Sequence, residues 1–169
     1  LIYSVSGSTL QNIVYDKTVV NQKEIHTNSL NCEGYEGLPS FSIDTKKGTD
    51  KEVEILNTNK QNYLDCSISI GNTDKSFLLD KEVARIKGRG NGSWYDGAKK
   101  PYKLKFDKKI NLFGKGAAKT WVLLANCGDY SLIRNYLAYS IGLLFKSQQY
   151  TTTTQFVDLY INGKYNGVY

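Results

Sequence analysis

From Gly37 onward the chain alternates apolar and polar side chains in short blocks. Leu38-Pro39-Ser40-Phe41-Ser42-Ile43 alternates at period two and stops at Asp44-Thr45-Lys46-Lys47-Gly48, which reads as a strand and a turn. Tyr63 to Ile70 repeats the pattern and ends at Gly71-Asn72, and Phe77 to Lys87 is a third candidate strand, interrupted by Asp80, Lys81 and Glu82. Tyr102-Lys103-Leu104-Lys105-Phe106 alternates without a break, with three apolar side chains on one face and two lysines on the other. Thr120 to Ala125 is a short apolar run suited to a buried strand. Helical spacing appears once, in Leu132, Ile133, Tyr136, Leu137, Ser140, Ile141 and Leu144. Asp129 suits the N-cap of that helix and Lys146 its C-terminal end. Asn162-Gly163, between Gln155–Ile161 and Lys164–Tyr169, predicts a hairpin with a type I′ turn.

Strands without regular strand–helix alternation predict an α+β fold, a twisted antiparallel sheet with one long helix. Residues 1–36 are polar and irregular, with apolar pieces only at Ile13-Val14-Tyr15 and Val19-Val20. They are expected to be leading strands or a linker ahead of a domain over 37–169.

Composition narrows the class. A chain of 169 residues fits a single domain, and no apolar run nears the roughly 18 residues of a membrane-spanning helix. Aromatic residues at 12% argue against disorder. The net charge of +6 favours anionic partners without choosing among phosphate, nucleic acid and acidic polymers. Three cysteines, Cys32, Cys66 and Cys127, include no CxxC pair for zinc, and a Cys32–Cys66 bridge stays open. His26 is the single histidine, which excludes a histidine-rich metal site. A chain that starts at Leu1 and contains no methionine is read as processed or excised.

Gly88-Arg89-Gly90-Asn91-Gly92-Ser93-Trp94 joins two extended segments. Glycine lets backbone N–H groups approach phosphate, but the spacing is neither a Rossmann fingerprint nor a P-loop, and an ordinary flexible turn fits as well. Lys103 and Lys105 on one strand face are either nucleotide lysines or the solvated side of a sheet. Arg134 could reach a phosphate or carboxylate, or expose its head over a packed stem. Asp158, between Val157 and Leu159, is a candidate metal or base residue, with surface placement opposite the core face the plainer account.

Taken in order, Arg89-Gly90-Asn91-Gly92-Ser93-Trp94, Lys99-Lys100-Pro101-Tyr102-Lys103-Leu104-Lys105-Phe106, Asn111-Leu112-Phe113-Gly114, Trp121 to Asn126, Asp129, Leu132 to Ala138 and Phe156 to Tyr169 closely resemble the spore-coat protein H (CotH) kinase family. The resemblance runs from about Leu38 to Tyr169. It departs at Cys127, where the family usually has an aromatic residue, and at Lys115, where methionine is common. It implies the N-lobe of an atypical protein kinase, which would transfer the γ-phosphoryl group of ATP to Ser or Thr with Mg²⁺ or Mn²⁺. The nucleotide contacts it implies are Arg89, Gly90, Asn91, Ser93, Lys100, Lys103, Lys105 and Arg134. It places the catalytic and metal-binding aspartates in a second lobe beyond Tyr169, so this stretch is expected to hold no catalytic or metal-binding residue and to be inactive alone. Partners would be a nucleotide and a Ser/Thr-bearing protein, at an extracellular, cell-surface or spore-coat location. A carbohydrate- or protein-binding module, with Trp94 stacking on sugar, is the alternative. Nucleic-acid binding has no stacking motif or groove-reading helix to support it.

Overall fold

The computed structural model describes residues 37–169 apart from Asp96, Lys146 and Gln148. The expected leading strands, His26 and Cys32 lie outside the described residues, as does the helix-end role of Lys146. The strands are β1 (Ser40–Thr45), β2 (Leu64–Gly71), β3 (Leu79–Gly88), β4 (Tyr102–Asn111), β5 (Ala117–Leu123), β6 (Asp158–Ile161) and β7 (Lys164–Val168). The helices among the described residues are α1 (Asp50–Thr58), α2 (Gly92–Tyr95) and α3 (Arg134–Gly142), with a 3₁₀ turn at Lys75–Phe77. All seven strands form one sheet in the order β5-β4-β3-β2-β1-β6-β7.

Period-two alternation builds its core face. Phe41 and Ile43 of β1 stand beside Ile70 and Ile68 of β2, and beside Leu159 and Ile161 of β6. Ile86 of β3 stands beside Leu104 of β4. Of these, Ile43, Ile68, Ile86, Leu104 and Leu159 are fully buried. α1 adds Leu56, and its Asn57 Oδ1 accepts a 2.7 Å hydrogen bond from the Tyr102 hydroxyl. Thr49 caps α1, its side chain accepting from the Glu52 amide, a start signal that the strand-centred reading of this region passed over.

Two expectations are corrected. The sheet is not wholly antiparallel, because β6 pairs parallel to β1. After β5 the chain must pass from one edge of the sheet to the far side of β1, five strand spacings or roughly 24 Å, and a crossover of that length can bring the next strand in parallel. The helix within that crossover is also short, nine residues rather than an element from Asp129 to Lys146. Leu132 sits at φ +61°, which a right-handed helix cannot include, so the helix begins only after it. The hairpin expectation holds: Asn162 and Gly163 lie at φ +49° and +75°, as a type I′ turn requires. The Asn162 side chain also exchanges hydrogen bonds with Thr45, tying the turn to the end of β1.

Cys66 is a free, buried thiol on β2 and Cys127 a free, exposed one. Burial, followed by the nearby Asp65 and Asp44 carboxylates, pushes the Cys66 thiol up to about 12.

Two measurements check the core. Ile43→Ala removes a branched side chain packed between two neighbouring strands and should lower unfolding stability in urea by about 2–5 kcal/mol. Because the thiolate is the reactive form, Cys127 should react with a disulfide reagent at pH 8 in the native state, whereas Cys66 should react only on unfolding. Rapid native labelling of Cys66 would contradict the buried placement of β2.

Candidate functional site

Between β3 and β4 the chain leaves the sheet, turns through α2 and returns thirteen residues later, closed at its base by an Arg89 N–H bond to the Pro101 carbonyl (3.0 Å). Steric fit makes the turn. The Trp94 indole is buried directly against Gly88, where a Cβ would stand 2.2 Å from two ring carbons. Gly90 takes φ +97°, open to glycine, and a Cβ there would meet the Ser93 hydroxyl at 2.6 Å. The Asn91 carbonyl accepts from the Trp94 and Tyr95 amides at 2.9 and 3.2 Å. Two lysines hold the loop by its carbonyls. Lys60 Nζ donates to Gly90 O (2.9 Å) and lies 4.6 Å over the Tyr95 ring. Lys100 Nζ donates to Trp94 O and Gly97 O, both at 2.7 Å, and lies 5.5 Å from the Trp94 ring.

On the core side the loop borders a cavity of about 600 Å³ roofed by the crossover from α3 to β6. Its floor is Phe41, Leu104 and Leu123, and its aromatic walls include Trp121, Tyr136 and Phe156. The Tyr136 and Phe156 rings meet at 5.4 Å. Arg89, Asn126 and Asn135 contribute polar lining, as do Lys115 and the Thr152–Gln155 stretch of the crossover. Asn135 Nδ2 donates to Asn126 Oδ1 at 2.8 Å. An adjoining cleft shares Asn126 and Asn135 and adds Ser93, Asp129 and Arg134.

Asp129 organises the start of α3 from five residues upstream. Its Oδ1 accepts from the Ser131 amide (3.0 Å) and hydroxyl (2.6 Å), and its Oδ2 from the Arg134 amide (2.8 Å). These bonds, led by the Ser131 hydroxyl, hold the carboxyl below its ordinary value. The expected N-cap role of Asp129 is therefore corrected: the N-cap is Ile133, which makes no side-chain bond, and Asp129 reaches the first helical amide from farther upstream because the chain turns at Leu132 before the helix begins.

The structure gathers some of the expected nucleotide contacts and separates others. Arg89, Gly90, Asn91 and Ser93 form the loop, and Arg89 faces the cavity with no hydrogen bond or ion pair of its side chain among the described residues. Arg134 borders the adjoining cleft, its head exposed and its Nε 3.5 Å from Asp129 Oδ1. Lys100 faces inward and braces the loop. Lys103 and Lys105 alternate with the buried Tyr102, Leu104 and Phe106 of β4, so they emerge on the sheet face opposite the cavity. Asp158 accepts from the Tyr165 hydroxyl at 3.0 Å on that same outer face. Trp94, which a sugar-stacking role needs at the surface, is 5% exposed.

Sequence reasoning missed Lys60, the Asn126–Asn135 pair and Lys99. The Lys99 ammonium donates to Val168 O and lies 4.1 Å over the Tyr169 ring, and burial lowers it from its ordinary value. Tyr169 in turn stacks on Tyr102 at 6.0 Å and donates to Lys100 O at 2.9 Å. Burial, then the Tyr102 hydroxyl, raises the Tyr169 phenol. Two motifs far apart in sequence therefore meet behind the loop. Among the described residues no three His, Cys, Asp or Glu side chains converge as metal ligands, and no helix is long and apolar enough to cross a membrane.

The family model described as CotH kinase protein matches residues 85–169, half of the chain and every element of this site except Lys60 and β1. The chain belongs to that family. No curated protein and no solved structure matches it.

The loop's dependence on a bare backbone at Gly88 can be tested. Gly88→Ala should lower stability by about 1–3 kcal/mol through overpacking against Trp94. Adding Trp94→Leu should recover part of that loss. Equal stability of Gly88→Ala and the native chain would show that the indole does not lie where it is described.

Proposed function

We propose that this member of the CotH kinase family binds a nucleotide through its phosphates at the Gly88–Ser93 loop. Arg89 would be the principal charged contact, the backbone N–H groups of Gly90 to Ser93 the neutral ones, and Arg134 an outer one. One observation carries this reading: an arginine whose side chain has no hydrogen bond or ion pair among the described residues lines a large cavity, beside a loop whose carbonyls are held back by two lysines. A guanidinium matches phosphate oxygens in bidentate geometry, and a loop tethered through its C=O groups leaves N–H groups for an anion. The aromatic walls offer a planar apolar surface for a base.

The resident nucleotide implied by the family is ATP with Mg²⁺ or Mn²⁺, transferring a phosphoryl group to a Ser/Thr-bearing protein at a cell or spore surface. The loop, its glycine clearances and Arg89 suit the phosphates. No carboxylate cluster among the described residues suits the metal, so no step is routed through one. Phosphoryl transfer draws on metal-holding and water- or hydroxyl-orienting carboxylates as well as phosphate contacts, and on this reading the present chain binds nucleotide without turning it over.

Calorimetric titration with ATP tests the reading. The native chain should bind, and Arg89→Ala should weaken binding about 10- to 100-fold, the loss of one charge-assisted contact of about 1.5–3 kcal/mol. Incubation with radiolabelled ATP and a generic Ser/Thr substrate should give no transfer. Saturable binding unchanged in Arg89→Ala would reject this loop as the phosphate site, and robust transfer would reject the inactivity.

A further inference from the structure

The outer face of the sheet carries a second basic surface that the nucleotide reading does not use. Across the β3–β4 pair, Lys87 stands directly opposite Lys103, and Arg85 directly opposite Lys105. Like charges facing each other across a ladder are destabilising, yet here two such pairs sit side by side. Around them, Asp107 takes Arg85 in an ion pair of 3.2 Å, and Asp65, the β2 partner of Arg85, is engaged by Lys46 at 3.9 Å. Lys87, Lys103 and Lys105 have no carboxylate within ion-pair distance among the described residues. Tyr63 lies beneath the grid, its ring 5.0 Å from Lys87 Nζ and 6.0 Å from the Arg85 guanidinium carbon, so these two heads are steered rather than free. Val83 flanks the cations on the same face, 65% exposed, and Val122, the β5 partner of Lys103, is 43% exposed at the sheet edge and also borders the cavity.

We propose that this outer face of β3, β4 and β5 is a docking surface for an extended acidic polypeptide with Asp or Glu at alternate positions. Geometry fits charge to charge. Successive outward side chains on one strand are about 6.4–6.8 Å apart, the spacing at which alternate side chains of an extended peptide also repeat, so two carboxylates on a strand laid along β4 meet Lys103 and Lys105 together. Cross-strand Lys87 and Arg85 then lie within reach of the same carboxylates, and an anion between facing cations turns their repulsion into attraction. The exposed valines supply apolar contact for the residues between. A nucleic acid fits less well, because single strands are held on aromatic platforms and the one ring in the grid, Tyr63, is already covered by Lys87 and Arg85. The surface lies across the sheet from the Arg89 cavity, so it stands whether or not a nucleotide binds there.

Fluorescence anisotropy with a labelled peptide of alternating Glu and Ser decides it. The 169-residue chain should bind the peptide, more weakly as ionic strength rises. The Lys103→Gln/Lys105→Gln variant should bind about tenfold more weakly or worse, while Arg89→Ala should bind as the native chain does. Relief of the facing charges predicts that the double variant melts no lower than the native protein; should it misfold, Lys105→Gln alone provides the same comparison. Absence of peptide binding, binding indifferent to these glutamines, or an equal loss in Arg89→Ala would overturn the proposal. Tighter capture of oligo(dT) with the same lysine dependence would overturn it in favour of a nucleic acid.

Discussion

A tryptophan ring packed directly against a glycine governs the loop end of this molecule. With the Trp94 indole occupying the space of the missing Gly88 Cβ, β3 cannot run straight into β4, and the chain must rise, turn and return over the ring. That detour fixes what surrounds it. Burying an indole favours the arrangement hydrophobically, while the displaced carbonyls of Gly90, Trp94 and Gly97 are answered by Lys60 and Lys100. An unanswered carbonyl at a partly buried site would cost a hydrogen bond's worth of stability. The two ammonium groups therefore belong to the loop's architecture as much as Trp94 does, and Arg89 is left as the loop's available cation.

The same β4 strand separates two chemistries by its pleat. Tyr102, Leu104 and Phe106 point into the core, with Leu104 reaching the floor of the cavity, and Lys103 and Lys105 leave on the other side. A strand residue cannot serve both faces, because a one-residue slip would exchange the whole set. The cluster of Lys99, Lys100, Tyr102 and Tyr169 pins this register. Its stacked phenols, the Tyr169-to-Lys100 bond and the Lys99 contact with Val168 join the start of β4 to the end of β7. In consequence the cavity and the basic grid are rigidly opposed across one sheet thickness.

Much of this was legible in the residues themselves. The alternation of Tyr102 to Phe106 announced both the buried face and the lysine face. Asn162-Gly163 announced its turn. What could not be read were relations made only by folding. The tether from Lys60 to Gly90 spans thirty positions, and no local pattern marks Lys60. Assigning Lys103 or Lys105 to phosphate required knowing which side of the sheet the loop turns toward, and the pleat gives two sides without saying which is covered. The parallel pairing of β6 escaped because the crossover preceding it is mostly irregular chain rather than a helix of βαβ length. The α1 start at Thr49 and Glu52 was marked, but the segment has only one buried residue, Leu56, too little apolar rhythm to stand out.

The helix α3 shows how the cavity keeps its volume. Its apolar residues were expected to pack along a stripe, yet none of α3 is buried, and Tyr136 and Ile141 are 36% and 51% exposed. Hydrophobic packing is thus not what positions this helix within the described residues. Its start is held by polar contacts, Asp129 to the Arg134 amide and Asn135 to Asn126, and its side by a single aromatic contact, Tyr136 on Phe156. A helix fixed at one end by directional bonds and touching the sheet through few side chains stands off from it, and the space beneath stays open instead of collapsing to core density. The asparagines that hold the helix away also line that space, as Arg89 does. The device that makes the cavity is therefore also the device that gives it its hydrogen-bonding wall.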